Sequence, residues 1–234
     1  MTRRSFLPVA ALLLACFCQP VPLTGRKQLS LIPASQLTQL GADSYRQFLA
    51  QREVVEGTEQ ARMVTRVGRD IATAVETYLL RNKMGARVQE FEWEFNLIAD
   101  TSMNAFAMPG GKVAVFSGIM DVARDQDGPA VIMGHEIAHV IARHGNERMS
   151  QALLFQLGAV ALSVALANEP ERTRRLFMAA YGLGGQVGVL LPYSRIHESE
   201  ADRLGLIFMA MAGYDPRAAI PFWQRMEQAT PPGA

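Results

Sequence analysis

The spacing of apolar residues changes along the chain, and each change marks an element. From Ala34 to about Leu80 apolar positions recur at helical spacing, in two pieces broken near Gly57. In the second piece Met63, Val67, Ile71 and Val75 stand four apart and predict one buried stripe. The period then shortens. Phe91, Trp93, Phe95 and Leu97 alternate with Glu92, Glu94 and Asn96, the pattern of a half-buried strand. Asn104 to Met108 and Lys112 to Phe116 predict two further strands, and Pro109-Gly110-Gly111 between them supplies turn chemistry for a hairpin. A short helix is expected after Ser117. Asp127-Gly128-Pro129 then opens a longer one, with proline near the first helical position, running to about Ser150. Ala152 to Ala167 is strongly apolar, broken by Gln156, Gly158 and Ser163, and predicts a buried helix; the alternative is an element resting on lipid. Asn168 to Arg175 reads as a charged break, Tyr181 to Gly185 as a mobile connection, and a last helical region begins near Ser194. The sum is an α+β fold, mostly helical, with a small sheet.

The first residues follow other rules. Thr2-Arg3-Arg4 precedes an apolar run from Phe6 to Ala15 that is too short to span a bilayer as a helix. It ends in Leu13-Leu14-Ala15-Cys16, which resembles the lipobox of bacterial lipoproteins. That resemblance implies a signal peptide over 1–15 and a lipid on Cys16; an ordinary secretory signal is the alternative. The paired arginines are also similar to a twin-arginine export signal. Residues 16–33, with Pro20, Pro22, Gly25 and Pro33, are expected to form an extended tether to a domain over 34–234. Phe17 is not the aspartate that retains lipoproteins at the inner membrane, so the outer membrane is favoured.

Composition narrows the function classes. With 49% hydrophobic and 19% charged residues the chain is globular rather than disordered, and 234 residues suffice for one well-cored domain. A formal net charge of +1 and scattered basic residues exclude nucleic acid as a partner. Cys16 and Cys18 are the only cysteines, so no framework disulfide is expected and a metal further along would be held by nitrogen and oxygen.

Such a metal is called for by His135-Glu136-Ile137-Ala138-His139. Residues four apart share a helix face, so both imidazoles can meet one zinc ion. Glu136 points to the flank, where it can reach a zinc-bound water and take its proton. The motif lies in the apolar run Val131-Ile132-Met133-Gly134, and burying two histidines and a glutamate without a role is costly. A catalytic zinc needs a third protein ligand and an open position. His144 is too close for the metzincin pattern, because Ala142 and Arg143 stand where that pattern needs a helix-breaking glycine; the helix is expected to continue and carry His144 and Glu147 away. The third ligand is sought in His197-Glu198-Ser199-Glu200-Ala201-Asp202. Glu198 and Asp202 lie one turn apart, as in gluzincins, where the aspartate orients a zinc histidine. Glu200 and His197 remain alternatives.

Gly134 to His139, then Ala142-Arg143-His144 and Glu147-Arg148, resemble the HtpX and CAAX prenyl protease family of zinc peptidases. Asn104-Ala105-Phe106-Ala107-Met108-Pro109-Gly110-Gly111 and Glu198-Ser199-Glu200-Ala201-Asp202-Arg203 extend the likeness, and Val21 to Arg26 is similar to its soluble lipoprotein branch, related to the mitochondrial Oma protease. The resemblance implies a zincin-like domain with its sheet beside the active-site helix and one zinc per chain. It implies His135, His139 and Glu198 as ligands, Glu136 as base and Asp202 behind a ligand. Asn104, Ala105 and Phe106 would line the cleft, where an extended substrate could pair with the strand. Tyr193 and Arg195, just before the third ligand, could help hold an oxyanion. Integral members of the family have several membrane helices; this chain is expected to have none. The implied function is an endopeptidase, lipid-anchored in the cell envelope and facing the periplasm, that degrades misfolded or misassembled envelope proteins. The alternative is a chaperone-like assembly factor for outer-membrane proteins that keeps its zinc and rarely cuts.

Overall fold

A computed structural model of the chain describes residues 18–185 and 191–229. In chain order the elements are β1 (Cys18–Pro20), β2 (Lys27–Leu29), α1 (Ala34–Leu49), α2 (Glu59–Arg81), α3 (Gly85–Val88), β3 (Glu94–Ile98), β4 (Ala105–Met108), β5 (Lys112–Phe116), α4 (Ser117–Ala123), α5 (Asp127–Ile141), α6 (His144–Ala165), α7 (Glu171–Gly185), α8 (Leu191–Met211) and α9 (Ala219–Ala229), the last preceded by a 3-10 turn at Pro216–Ala218. The architecture is α+β and mostly helical, as the periodicities predict. The chain divides into two compact units, one of Ala34–Ala142 with Glu198 onward, the other of the residues up to Pro33 with Arg143–His197.

In the larger unit α2 starts at Thr58, whose Oγ1 accepts from the Ala61 amide at 3.1 Å, an N-cap that satisfies one orphan donor. Its buried stripe is Val64, Val67, Ile71, Val75 and Leu79, packed on α5 and β3. Met63, expected in that stripe, is half-buried, because Val64 takes the inward position. β3 begins only at Glu94, so Phe91 and Trp93 precede the strand; Trp93 stacks on Phe95 and its Nε1 donates to Glu76 at 2.7 Å. β5 is the central strand, parallel to β3 and antiparallel to β4, and Val113 to Phe116 are all buried. The β4–β5 turn needs its glycines, since Gly110 and Gly111 sit at φ of 88° and 87°. β4 is therefore an edge strand, and it lies against α5. Tyr45 from α1 donates to the Val113 carbonyl at 2.7 Å, and burial pushes its phenol far above the ordinary range.

α5 is buried at every residue from Gly128 to Gly134. It does not run to Ser150. It ends at Ile141, whose carbonyl accepts from the Arg87 guanidinium at 2.7 Å, and Arg143 adopts a left-handed conformation at φ 54°. No glycine or proline signals this break, which explains why the periodicity reads through it.

In the smaller unit the stretch expected as an extended tether forms, from Cys18, the β1–β2 hairpin, with Cys18 opposite Leu29. The root of α6 holds that segment: Asn146 Nδ2 donates to the Ile32 carbonyl at 2.8 Å and Ser150 Oγ accepts from the Leu31 amide at 2.9 Å. Glu147 takes both nitrogens of Arg26, at 3.0 and 2.8 Å, and stands 2.8 Å from His197 Nε2. His144 is buried and stacks on the His197 ring, 4.4 Å between centroids, so it packs locally at the start of α6.

The rest of α6 corrects two expectations. The apolar run from Ala152 is not buried: Leu153, Leu154, Leu157, Val160 and Val164 are exposed. α6 is also long and apolar enough, by length and composition, to cross a membrane. Tyr181 to Gly185, read as a mobile connection, continue α7 as helix. Tyr181 stacks on Phe155 and donates to its carbonyl at 3.0 Å, which is the tertiary reason that segment stays helical. Cys16 and the proposed signal peptide lie outside the described residues.

Candidate metal centre

α5 carries His135, Glu136 and His139, and the middle of α8 carries Glu198 and Asp202. The two helices meet backbone to backbone at two glycines. A Cβ on Gly134 would stand 2.7 Å from the Gly205 carbonyl oxygen, and one on Gly205 would stand 2.8 Å from the His135 nitrogen. No larger residue fits this approach without parting the helices, so the glycine pair sets how near α8 brings its carboxylates to the histidines.

The result is a cluster of three donors. His135 Nε2 and His139 Nε2 are 3.0 Å apart, and Glu198 Oε2 lies 3.4 and 3.6 Å from them. One donor atom from each of the three residues falls within 4.8 Å of the others. A tetrahedral zinc with ligands at about 2.1 Å spaces its donors about 3.4 Å apart. The set fits a metal in size and in chemistry, two nitrogens and one carboxylate oxygen.

Asp202 Oδ1 sits 3.0 Å from His135 Nδ1. A carboxylate there accepts the Nδ1 proton, which leaves the Nε2 lone pair directed at the cluster. The Trp223 indole and the His135 ring form a T-shaped pair, 6.1 Å between centroids. Beside these residues opens a cavity of about 240 Å³ lined by Val131, His135, Asp202, Met209, Ile220 and Trp223. The two histidine side chains are about 15% exposed and Glu198 about half, so the cluster faces out of the unit on one side. Glu136 is half-buried on the same helix turn.

The sequence alternatives separate cleanly. His197 is turned to Glu147 within its own unit, and Glu200, the second glutamate, is buried. Asn104 is exposed at the start of the β4 edge and its carbonyl accepts from the Phe116 amide at 2.9 Å; Ala105 follows at half burial. The Phe106 ring is turned inward, edge-on to Phe48 and Phe116, so only its backbone is offered along the edge. Arg195 is exposed, and the Tyr193 side chain lies outside the described residues. Sequence reasoning passed over Gly205 and Trp223. A glycine inside an otherwise helical run was the available signal for the first; nothing local marks the second.

A model of peptidase family M48 matches residues 65–234. The chain is 31% identical over 213 residues to a mitochondrial metalloendopeptidase OMA1 of Bos taurus, covering 89% of this chain and 39% of that one. It is 39% identical over 149 residues to OMA1 of Schizosaccharomyces pombe, covering 61% and 40%. It is also 29% identical over 138 residues to a beta-barrel assembly-enhancing protease of Escherichia coli, covering 57% and 28%. The chain thus spans about two fifths or less of the length of these relatives.

Proposed function

Because the chain belongs to peptidase family M48, we propose that it is a zinc-dependent endopeptidase that degrades misfolded or misassembled proteins of the cell envelope. The observation that carries the reading is the convergence of Glu198 on His135 and His139, with Asp202 behind His135. His135, His139 and Glu198 would hold the metal. When bound, zinc supplies the Lewis acidity that acidifies water and polarises a peptide carbonyl. Glu136, one residue beyond the first ligand, then takes a proton from the attacking water and returns it to the departing amine nitrogen as the C–N bond breaks. Asp202 keeps His135 in one tautomer throughout. The outer edge of β4, with Asn104 just ahead of it and Ala105 and Phe106 on it, can take an extended chain by main-chain hydrogen bonds, a mode tolerant of sequence and demanding of unfolded substrate.

The lipobox at Cys16 would tether the enzyme on the periplasmic face of the envelope, with the outer membrane favoured by Phe17. Similarity to a protease named for assembly of β-barrels supports envelope proteins as substrates. The test is digestion of one outer-membrane β-barrel protein in two states by the zinc-loaded enzyme. Cleavage of the urea-unfolded chain, with the detergent-folded barrel resistant, is expected. Equal cleavage of both, or cleavage at one site in a single substrate among several unrelated ones, overturns the quality-control reading.

A further inference from the structure

We propose that the distal part of α6 lies in the hydrocarbon of a lipid bilayer, with the charged start of α7 at its headgroups, a membrane contact separate from any lipid on Cys16. Four observations converge. Leu153, Leu157, Val160 and Val164 are 41%, 56%, 61% and 72% exposed, and Leu154, Leu176 and Phe177 are exposed beside them. A monomer in water rarely leaves such a cluster uncovered.

The length fits a bilayer. Residues 149–168 contain no Asp, Glu, Lys or Arg, and their helical part, 149–165, rises about 25 Å, near the lower end of the length that spans a hydrocarbon core. The continuous exposed apolar surface begins at Ala152, just past the buried polar root of α6, where Asn146, Glu147 and Ser150 are held by the β2 segment. Anchoring therefore ends where the apolar surface begins.

The breadth favours lipid over a second copy of the chain. One flank of α6 is occupied, since Phe155 and Gly158 meet Tyr181 of α7. On the remaining surface the exposed residues from 152 to 165 include Leu153, Leu154, Leu157, Val160, Ala161 and Val164, and only Gln156 and Ser163 are polar. A helix-pairing seam is narrow and flanked by charges, whereas lipid demands apolar side chains across the whole free surface.

The charges stand where headgroups would be. Arg148 is exposed at one end of the run; at the other, Arg172, Arg174 and Arg175 are exposed beside Glu169 and Glu171, with Arg175 paired to Glu171 at 3.3 Å. Long basic side chains there reach anionic headgroups while their stems stay with the apolar surface.

The test uses the full chain with Cys16 and Cys18 replaced by serine, so that no lipid is attached, and with a single label at Val160→Cys carrying an environment-sensitive NBD dye. Vesicles of phosphatidylcholine with phosphatidylglycerol should shift its emission to the blue, and a doxyl group on the acyl chains should quench it. The same dye at Leu80→Cys, exposed on α2, should do neither. Val160→Glu should lower vesicle partitioning by at least about tenfold, given the cost of a charge in hydrocarbon, and leave zinc binding unchanged, which separates the effect from misfolding. A water-like emission at position 160 with vesicles present overturns the proposal. So does a blue shift that rises with protein concentration in their absence, which would assign the surface to a second copy.

Discussion

The contact between Gly134 and Gly205 gives the account its sharpest stability and binding prediction. Gly205→Ala adds one methyl group where His135 N stands at 2.8 Å and Gly134 C at 2.9 Å. Nonbonded atoms of this kind rest at about 3.5 Å, so the backbones of α5 and α8 must part by roughly 0.6–0.7 Å. Both neighbours are backbone atoms of a buried helix and cannot swing aside. Such overpacking costs about 1–3 kcal/mol, against the roughly 1 kcal/mol that alanine gains over glycine inside a helix. The net change is a loss of up to about 2 kcal/mol in the metal-free protein. The larger effect falls on the metal. Glu198 rides on α8 one to two turns before Gly205, and ligand distances tolerate only about 0.2 Å. We expect zinc affinity, measured by competition with a chromophoric chelator, to fall about 10–100-fold, the range typical for disturbed ligand support. Thermal unfolding of the metal-free form measures the first effect independently. A variant more stable than wild type and unchanged in zinc affinity would refute the claim that these glycines set the site.

Three further outcomes follow from named contacts. Asp202→Ala should lower zinc affinity about 10–100-fold while leaving the unfolding of the metal-free protein near wild type, because Asp202 is exposed apart from its bond to His135; unchanged affinity would remove Asp202 from its orienting role. Glu147→Ala should destabilise the protein by about 2–3 kcal/mol, less than a fully buried ion pair because Arg26 is partly exposed; thermal or urea unfolding measures it. Burial opposes the Glu147 charge, but His197 and Arg26 outweigh it and hold the carboxyl below its ordinary range. Its contribution is therefore present above the unfolded carboxylate pKa and is lost as pH falls through the lowered folded value. Glu147→Gln should flatten acid-side stability in that window, and an unaltered acid profile would contradict the pairing.

How much of this was legible in the sequence depends on how local each cause is. His135 and His139 are set by helical spacing alone, and Glu198 with Asp202 by the same rule, so the motif halves could be read separately. What joins them is a helix crossing at Gly134 and Gly205, a tertiary contact with no signature beyond a mid-helix glycine. The end of α5 was hidden because it rests on Arg143 in a left-handed conformation and on Arg87 reaching the Ile141 carbonyl, neither of which composition records. The hairpin from Cys18 to Leu29 reads as tether because Pro20, Pro22 and Gly25 fall within it; Arg26 bound to Glu147 far along the chain holds it in place. The exposure of α6 was unreadable for a different reason. A helix in a protein core and one against lipid share a composition, and only the neighbours decide between them.

The central claim is that Glu136 performs peptide hydrolysis at a metal held by His135, His139 and Glu198. The most direct measurement compares wild type with Glu136→Gln at matched zinc content on an unfolded protein substrate, followed by mass spectrometry of the products. The account predicts one zinc per chain in both, peptide fragments from the wild type and none above background from the variant. Equal cleavage by both, or no cleavage by a fully zinc-loaded wild type, would contradict it.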